Sequence, residues 1–99
     1  MTANTSDSAF QYRDAVMFCE DVPLPAIAAS VGTPVYVYSA NTIRARYRRL
    51  EDAFAEVPHH IHFAMKANSN LSVLRLLQEL GAGVDIVSGG ELYRANEAG

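Results

Sequence analysis

The chain has 99 residues, 49% apolar and 19% charged, a balance that suits a globular polypeptide and argues against disordered, collagen-like and membrane-spanning classes. Eleven acids against eight Lys and Arg give a formal charge of −3, the wrong sign for gathering nucleic-acid backbone, and no apolar run approaches the ~20 residues that span a bilayer. The single cysteine, Cys19, has no internal partner, and MTANTSDSAF has neither the basic start nor the apolar core of a signal peptide, so a reducing, cytoplasmic setting is expected.

The first eight residues are small and polar and are expected to fray. Aromatic and β-branched residues around a polar centre, FQYRDAVMFCE, predict a short strand or hairpin over Phe10 to Glu20. A short helix follows from Asp21 to Val31. Asp21 can cap it, Pro23 and Pro25 are tolerated only in a first turn, Leu24, Ile27, Ala28 and Val31 share a face, and Gly32 ends it. TPVYVYS, from Thr33 to Ser39, opens with Pro34 and has the β-branched and aromatic content of a strand. Ser39 then offers an N-cap, and Ile43, Tyr47, Leu50, Phe54 and Val57 recur with the spacing of one amphipathic helix, stopped by Pro58.

HIHFAMK, from His60 to Lys66, reads as a strand with two unlike faces. Ile61, Phe63 and Met65 fall on one side, and His62, Ala64 and Lys66 on the other. Asn68, Ser69 and Asn70 supply a turn and cap. Val73, Leu76, Leu77 and Leu80 then form a helix face closed by Gly81. Across Gly83 to Val87 the same parity sets Val84 and Ile86 on one face and Gly83, Asp85 and Val87 on the other. Ser88 caps a last helix, and Glu91 completes an S-x-x-E capping box.

Strand, helix, strand, helix, with a polar group at the C-terminal end of each strand, is the order of parallel βα units. In a (β/α)8 barrel the inward residues at those strand ends meet, so Lys66 and Asp85 are expected to converge; an open doubly wound sheet gives the same order of elements. Lys66 is the only lysine among eight basic residues. An ε-amine held out of water gains the nucleophilicity to condense with a carbonyl as a Schiff base. The plainer role for a strand-end lysine is a side chain that snorkels to solvent.

The stretches HFAMKANSN and GAGVDIVSGGELYRA, preceded by CEDVPLPAIAASVGTPVYVYS in the same order, resemble the diaminopimelate decarboxylases, within the alanine-racemase-like fold of pyridoxal-phosphate enzymes. The resemblance runs from Phe10 to Gly99 and implies an α/β chain holding the N-terminal portion of a cofactor-binding (β/α)8 barrel. Residues 1–32 would be an N-terminal extension and residues 33–99 the first βα units. It places Lys66 where the family's lysine carries pyridoxal 5'-phosphate, with Ala64 two residues below it on the same face. Asp85 matches an acid near the cofactor, and Glu91 an acid beside the site that is equally accounted for as a cap.

The implied activity is decarboxylation of meso-2,6-diaminopimelate to L-lysine by a full-length homodimer acting on a small amino acid, without nucleic-acid or membrane partners. Decarboxylation of another basic amino acid, such as ornithine, arginine or carboxynorspermidine, and a non-catalytic pyridoxal-phosphate-binding module are the alternatives. A (β/α)8 barrel takes ~250 residues, so 99 residues are expected to be an inactive piece, with the phosphate-binding loops and the substrate-contacting half beyond Gly99.

Other patterns carry less. His59, His60 and His62 have no third ligand on a shared face, so no metal site is expected. Gly81-x-Gly83 lies after a helix and before a strand, the reverse of a dinucleotide fingerprint. Arg44, Arg46, Arg48 and Arg49 share a helix with Glu51, Asp52 and Glu56, which reads as a solvated, internally paired face. Cys19 reads as a small buried apolar residue.

Overall fold

The computed structural model describes residues 8–99; the expected fraying falls almost wholly outside them. Two compact units are present, one ending at Ile43 and one spanning Arg44–Gly99.

In the first unit the predicted hairpin forms. Strand β1 (Phe10–Arg13) runs antiparallel to β2 (Val16–Cys19), with Phe10 opposite Cys19 and Arg13 opposite Val16. Asp14 and Ala15 connect them at φ of 50° and 67°, the doubly left-handed geometry whose twist matches a two-residue hairpin. A two-residue β3 (Val22–Pro23) pairs with β2, and Cys19 is buried beneath. Helix α1 (Leu24–Val31) begins later than the sequence suggests: Asp21 does not cap it. Its carboxylate is instead 3.2 Å from the Arg13 guanidinium, and the backbone at Val22 and Pro23 is committed to the sheet. Pro25 does sit in the first turn, and Gly32 closes the helix at φ 84°.

The expected strand over Thr33 to Ser39 is absent. High β propensity measures fit to a pleated, half-buried surface. Among the described residues no ladder partners this run, and Tyr36 is 88% exposed.

Helix α2 (Ala40–Ala53) starts where Ser39 predicts. The Ser39 hydroxyl accepts from the Thr42 amide at 3.1 Å and donates to the Glu20 carboxylate at 2.7 Å. The same carboxylate takes the Asn41 amide (3.1 Å) and side-chain Nδ2 (3.0 Å), so an acid from the hairpin's end satisfies one of the open backbone donors of the helix's first turn and Ser39 another. The helix stops at Ala53, short of Pro58. Phe54 to Val57 continue as turns, with the Val57 amide on the Phe54 carbonyl at 3.0 Å. Leu50, Phe54 and Val57, expected on a buried face, are each about half exposed.

The second unit is an α/β arrangement. Strand β4 (His62–Ala64) lies parallel to β5 (Gly83–Asp85), with His62 opposite Gly83, Phe63 opposite Val84 and Ala64 opposite Asp85. Helix α3 (Leu71–Leu80) connects them, and α4 (Gly89–Ala98) follows. Both strands are shorter than predicted. After Ala64 the chain leaves the ladder into a 3-10 turn, Met65–Ala67, which carries Lys66.

The side-chain parity holds: Phe63, Val84 and Ile86 pack against a core of Met65, Leu74 and Ala98, with Ala95 beside them. Helix α3 turns inward at Leu77, as expected, but also at Leu74, which lies off the expected face. Leu74 and Leu77 are its buried residues, whereas Val73, Leu76 and Leu80 are only half-buried. Asn70 caps α3 by accepting the Ser72 and Val73 amides (2.9 and 3.1 Å), and Gly81, at φ 100°, adopts the left-handed conformation that ends it.

Candidate functional site

The face of the β4–β5 pair turned away from the core carries His62 and Ala64 from one strand and Gly83 and Asp85 from the other. Parallel pairing aligns the chemistry at one end: Ala64 and Asp85 are register partners, and Lys66 comes two residues beyond Ala64 on the following turn. Lys66 and Asp85 are therefore offset rather than opposite. Both are exposed, so the described residues do not bury the amine as a nucleophilic lysine requires; they present it. Ala64 is small and half-buried.

Lower on this face a close approach is built in. A Cβ at Gly83 would fall 2.9 Å from two ring atoms of His62, so only glycine leaves room for the imidazole there. The His60 and His62 rings stand edge to face, with centroids 6.4 Å apart. Among the described residues no three His, Cys, Asp or Glu side chains gather as metal ligands.

His59 points elsewhere. Its Nδ1 is 2.7 Å from the Val57 carbonyl and its Nε2 2.7 Å from Glu51 Oε1. The Val57 carbonyl, then Glu51, raise its pKa above the ordinary histidine value, while partial burial pulls the other way. Glu51, expected to pair with the arginines of α2, is thus a partner of His59.

Two loops frame the strand ends. After Lys66, the Asn68 amide donates to the Met65 carbonyl (3.1 Å), and Asn68 Oδ1 accepts from the Asn70 amide (2.9 Å), a local asparagine turn leading into α3. After Asp85, the Ser88 hydroxyl accepts from the Glu91 amide at 3.1 Å, as the capping box predicts. The return bond differs: the Glu91 carboxylate accepts from Val87, one residue before the cap, at 2.7 Å. Glu91 is thereby engaged with backbone. Sequence reasoning passed over Arg94, whose Nε donates to the Ser69 carbonyl at 3.2 Å, and the space that Gly83 leaves for His62. A backbone contact across 25 positions leaves no local signature; the His/Gly placement on facing strands was readable only once the register was known.

Residues 40–99 match the family described as pyridoxal-dependent decarboxylase, pyridoxal binding domain. Among curated relatives, diaminopimelate decarboxylase of Pseudomonas fluorescens is 57% identical over 91 residues, which is 92% of this chain and 22% of the relative. The Pseudomonas aeruginosa enzyme of the same name is 58% identical over 90 residues, 91% of this chain and 22% of its own. A crystal structure of diaminopimelate decarboxylase from M. jannaschii in complex with L-lysine superposes with a TM-score of 0.85 at 37% identity, covering 93% of this chain and 22% of that one. The chain spans about a fifth of the length of the relatives it matches.

Proposed function

Because this chain belongs to the pyridoxal-dependent decarboxylase family through its pyridoxal binding domain, we propose that the full-length protein decarboxylates meso-2,6-diaminopimelate to L-lysine and carbon dioxide, and that Lys66 is the residue that carries its cofactor. The cofactor class is pyridoxal 5'-phosphate. The observation that carries the reading is the alignment of Lys66, Ala64 and Asp85 at one end of a parallel β pair inside the matched segment. The strands belong, in this reading, to a (β/α)8 barrel, whose chemistry gathers at the C-terminal ends of its strands.

The residues present suit the group. The primary amine of Lys66 is within reach of an aldehyde and would gain its nucleophilicity once the rest of the barrel excludes water from it, and the Asp85 carboxylate stands on the neighbouring strand to meet a cationic ring or amine. When bound, pyridoxal phosphate supplies the electron sink that makes loss of an α-carboxylate accessible. The chain's own part is to hold and orient: Lys66 anchors and Asp85 supplies charge. The reading includes a cytoplasmic homodimer, in keeping with a lone, buried Cys19, and a small amino acid as substrate. No helix of the described residues is long and apolar enough to cross a membrane.

The test is borohydride reduction of the full-length protein loaded with pyridoxal phosphate, followed by peptide mapping and by assay of carbon dioxide release. Label on the Lys66 peptide with turnover of meso-diaminopimelate is the expected result. Label confined to another peptide removes Lys66 from its role, and turnover of ornithine or arginine in place of diaminopimelate reassigns the substrate.

A further inference from the structure

Helix α4 touches the loops behind both strand ends. In its first turn the Glu91 carboxylate accepts from the Val87 amide at 2.7 Å, two residues after Asp85. One turn later Arg94 Nε donates to the Ser69 carbonyl at 3.2 Å, three residues after Lys66. Positions three apart lie on the same face of a helix, so one edge of α4 grips both loops. The helix is itself fixed: Ala98 is buried against Met65 and Leu74, Ala95 packs beside them, and the Arg75 side chain bonds the Ala98 carbonyl at 3.1 Å. Met65, immediately before Lys66, is the most deeply buried large side chain among the described residues, so the core and α4 hold the lysine turn from two directions.

We propose that Arg94 and Glu91 are positioning residues, which set the Lys66 turn against the Asp85 strand end and thereby orient the amine toward its cofactor. Arg94 acts on the carbonyl of Ser69 and Glu91 on the amide of Val87; neither touches the cofactor. This rests on the assignment of Lys66 above, and it extends it by naming what fixes the amine's approach. An arginine has the reach and donor geometry for an exposed carbonyl, and a lysine in its place keeps the donor.

The experiment uses the full-length protein without cofactor, as wild type, Arg94→Met, Arg94→Lys and Glu91→Gln. Amide exchange is followed over residues 66–70 and at Val87, alongside the rate at which added pyridoxal phosphate becomes borohydride-trappable on the Lys66 peptide. Arg94→Met is expected to speed exchange over residues 66–70 about fivefold, the scale of one lost hydrogen bond, and to slow capture at Lys66 by a similar factor. Arg94→Lys should restore both, and Glu91→Gln should act first at Val87. Wild-type exchange and capture in Arg94→Met overturn the proposal. So does a uniform rise across α3 and α4 that Arg94→Lys fails to correct, since that is loss of fold rather than of position. If wild-type Lys66 captures no cofactor, the functional assignment fails, and the brace is then judged on the exchange arm alone.

Discussion

Ala64 and Asp85 face each other across the parallel ladder of β4 and β5, and that single register places every candidate group. It sets Asp85 level with the last paired residue before the chain turns, and it puts Lys66 two residues past the end of the sheet, on a 3-10 turn instead of a strand. A side chain on a turn at a sheet's edge can be reached and can move; a side chain within the ladder is held perpendicular to it.

Lys66→Ala is expected to abolish borohydride-trappable cofactor and turnover in the full-length protein while leaving its melting curve in place. The side chain is exposed and lies outside the core, so its truncation should shift stability by no more than about 0.5 kcal/mol. Calorimetry beside trapping separates the two effects. A large drop in melting temperature would show that Lys66 supports the fold instead.

Gly83→Ala is expected to destabilise through a named clash. The new Cβ would lie 2.9 Å from His62 Cε1 and Nδ1, and swinging the ring away from β5 should cost about 1 kcal/mol or more. Because the penalty belongs to the pair, His62→Ala should remove most of it, which a double-mutant cycle by chemical denaturation reads as coupling. Strict additivity of the two substitutions would mean that the ring is not where the structure has it.

How much of this was legible beforehand depends on whether a pattern is local. The two-faced character of the paired strands was readable, because alternation fixes which side chains share a side. Phe63, Val84 and Ile86 do pack on the core, and His62 and Asp85 do not. The buried edge of α3 was legible at Leu77 but not at Leu74, because Leu71, Val73, Leu74, Leu76, Leu77 and Leu80 surround much of the helix, leaving several faces equally apolar; contact with Met65 and Ala98 chose Leu74. The strand at Thr33 to Ser39 failed for want of a partner, and Asp21 lost its cap role to Arg13, eight residues away in the hairpin. Nothing in FAMK announces that the ladder ends at Ala64, since the alternation continues through Met65 into the turn.

His59 should titrate above the ordinary histidine value of about 6.5. Both of its ring nitrogens face acceptors, the Val57 carbonyl and the Glu51 carboxylate, and both are satisfied as donors only in the imidazolium. The Val57 carbonyl is the larger cause of the rise, Glu51 adds to it, and burial opposes it. A folded-state pKa raised in this way gives a contribution that is fully present below about 6.5 and fades as pH climbs through the folded value. NMR titration of the His59 ring in the full-length protein should show the elevated midpoint, and Glu51→Gln should lower it part of the way, leaving the share due to Val57. Glu51 also accepts from the Tyr47 hydroxyl, whose own pKa is raised by burial first and by that carboxylate second. An unchanged His59 midpoint in Glu51→Gln would contradict the pairing.

The 99-residue chain on its own is expected neither to decarboxylate nor to melt sharply. Among the described residues the buried apolar side chains are Cys19, Met65, Leu74, Leu77 and Ala98, a small core to set against the entropy of ordering the chain. The β4–β5 sheet has two strands, so each has an unpaired edge in an architecture that normally buries both faces and closes its edges. Its second face presents His62, Asp85 and Val87, the last 81% exposed, with Lys66 beyond, instead of the opposing strands a barrel would place there. Tyr36, Leu50, Phe54 and Leu92 add apolar surface open to water. The isolated chain should therefore unfold over a broad temperature range, bind an apolar-surface dye or self-associate, and hold no lasting cofactor absorbance after gel filtration with pyridoxal phosphate. Calorimetry, light scattering and absorbance of the filtered peak check the three in turn. A narrow two-state transition, a monomeric mass and one cofactor per chain would refute the expectation and would establish these two units as a self-sufficient binding module.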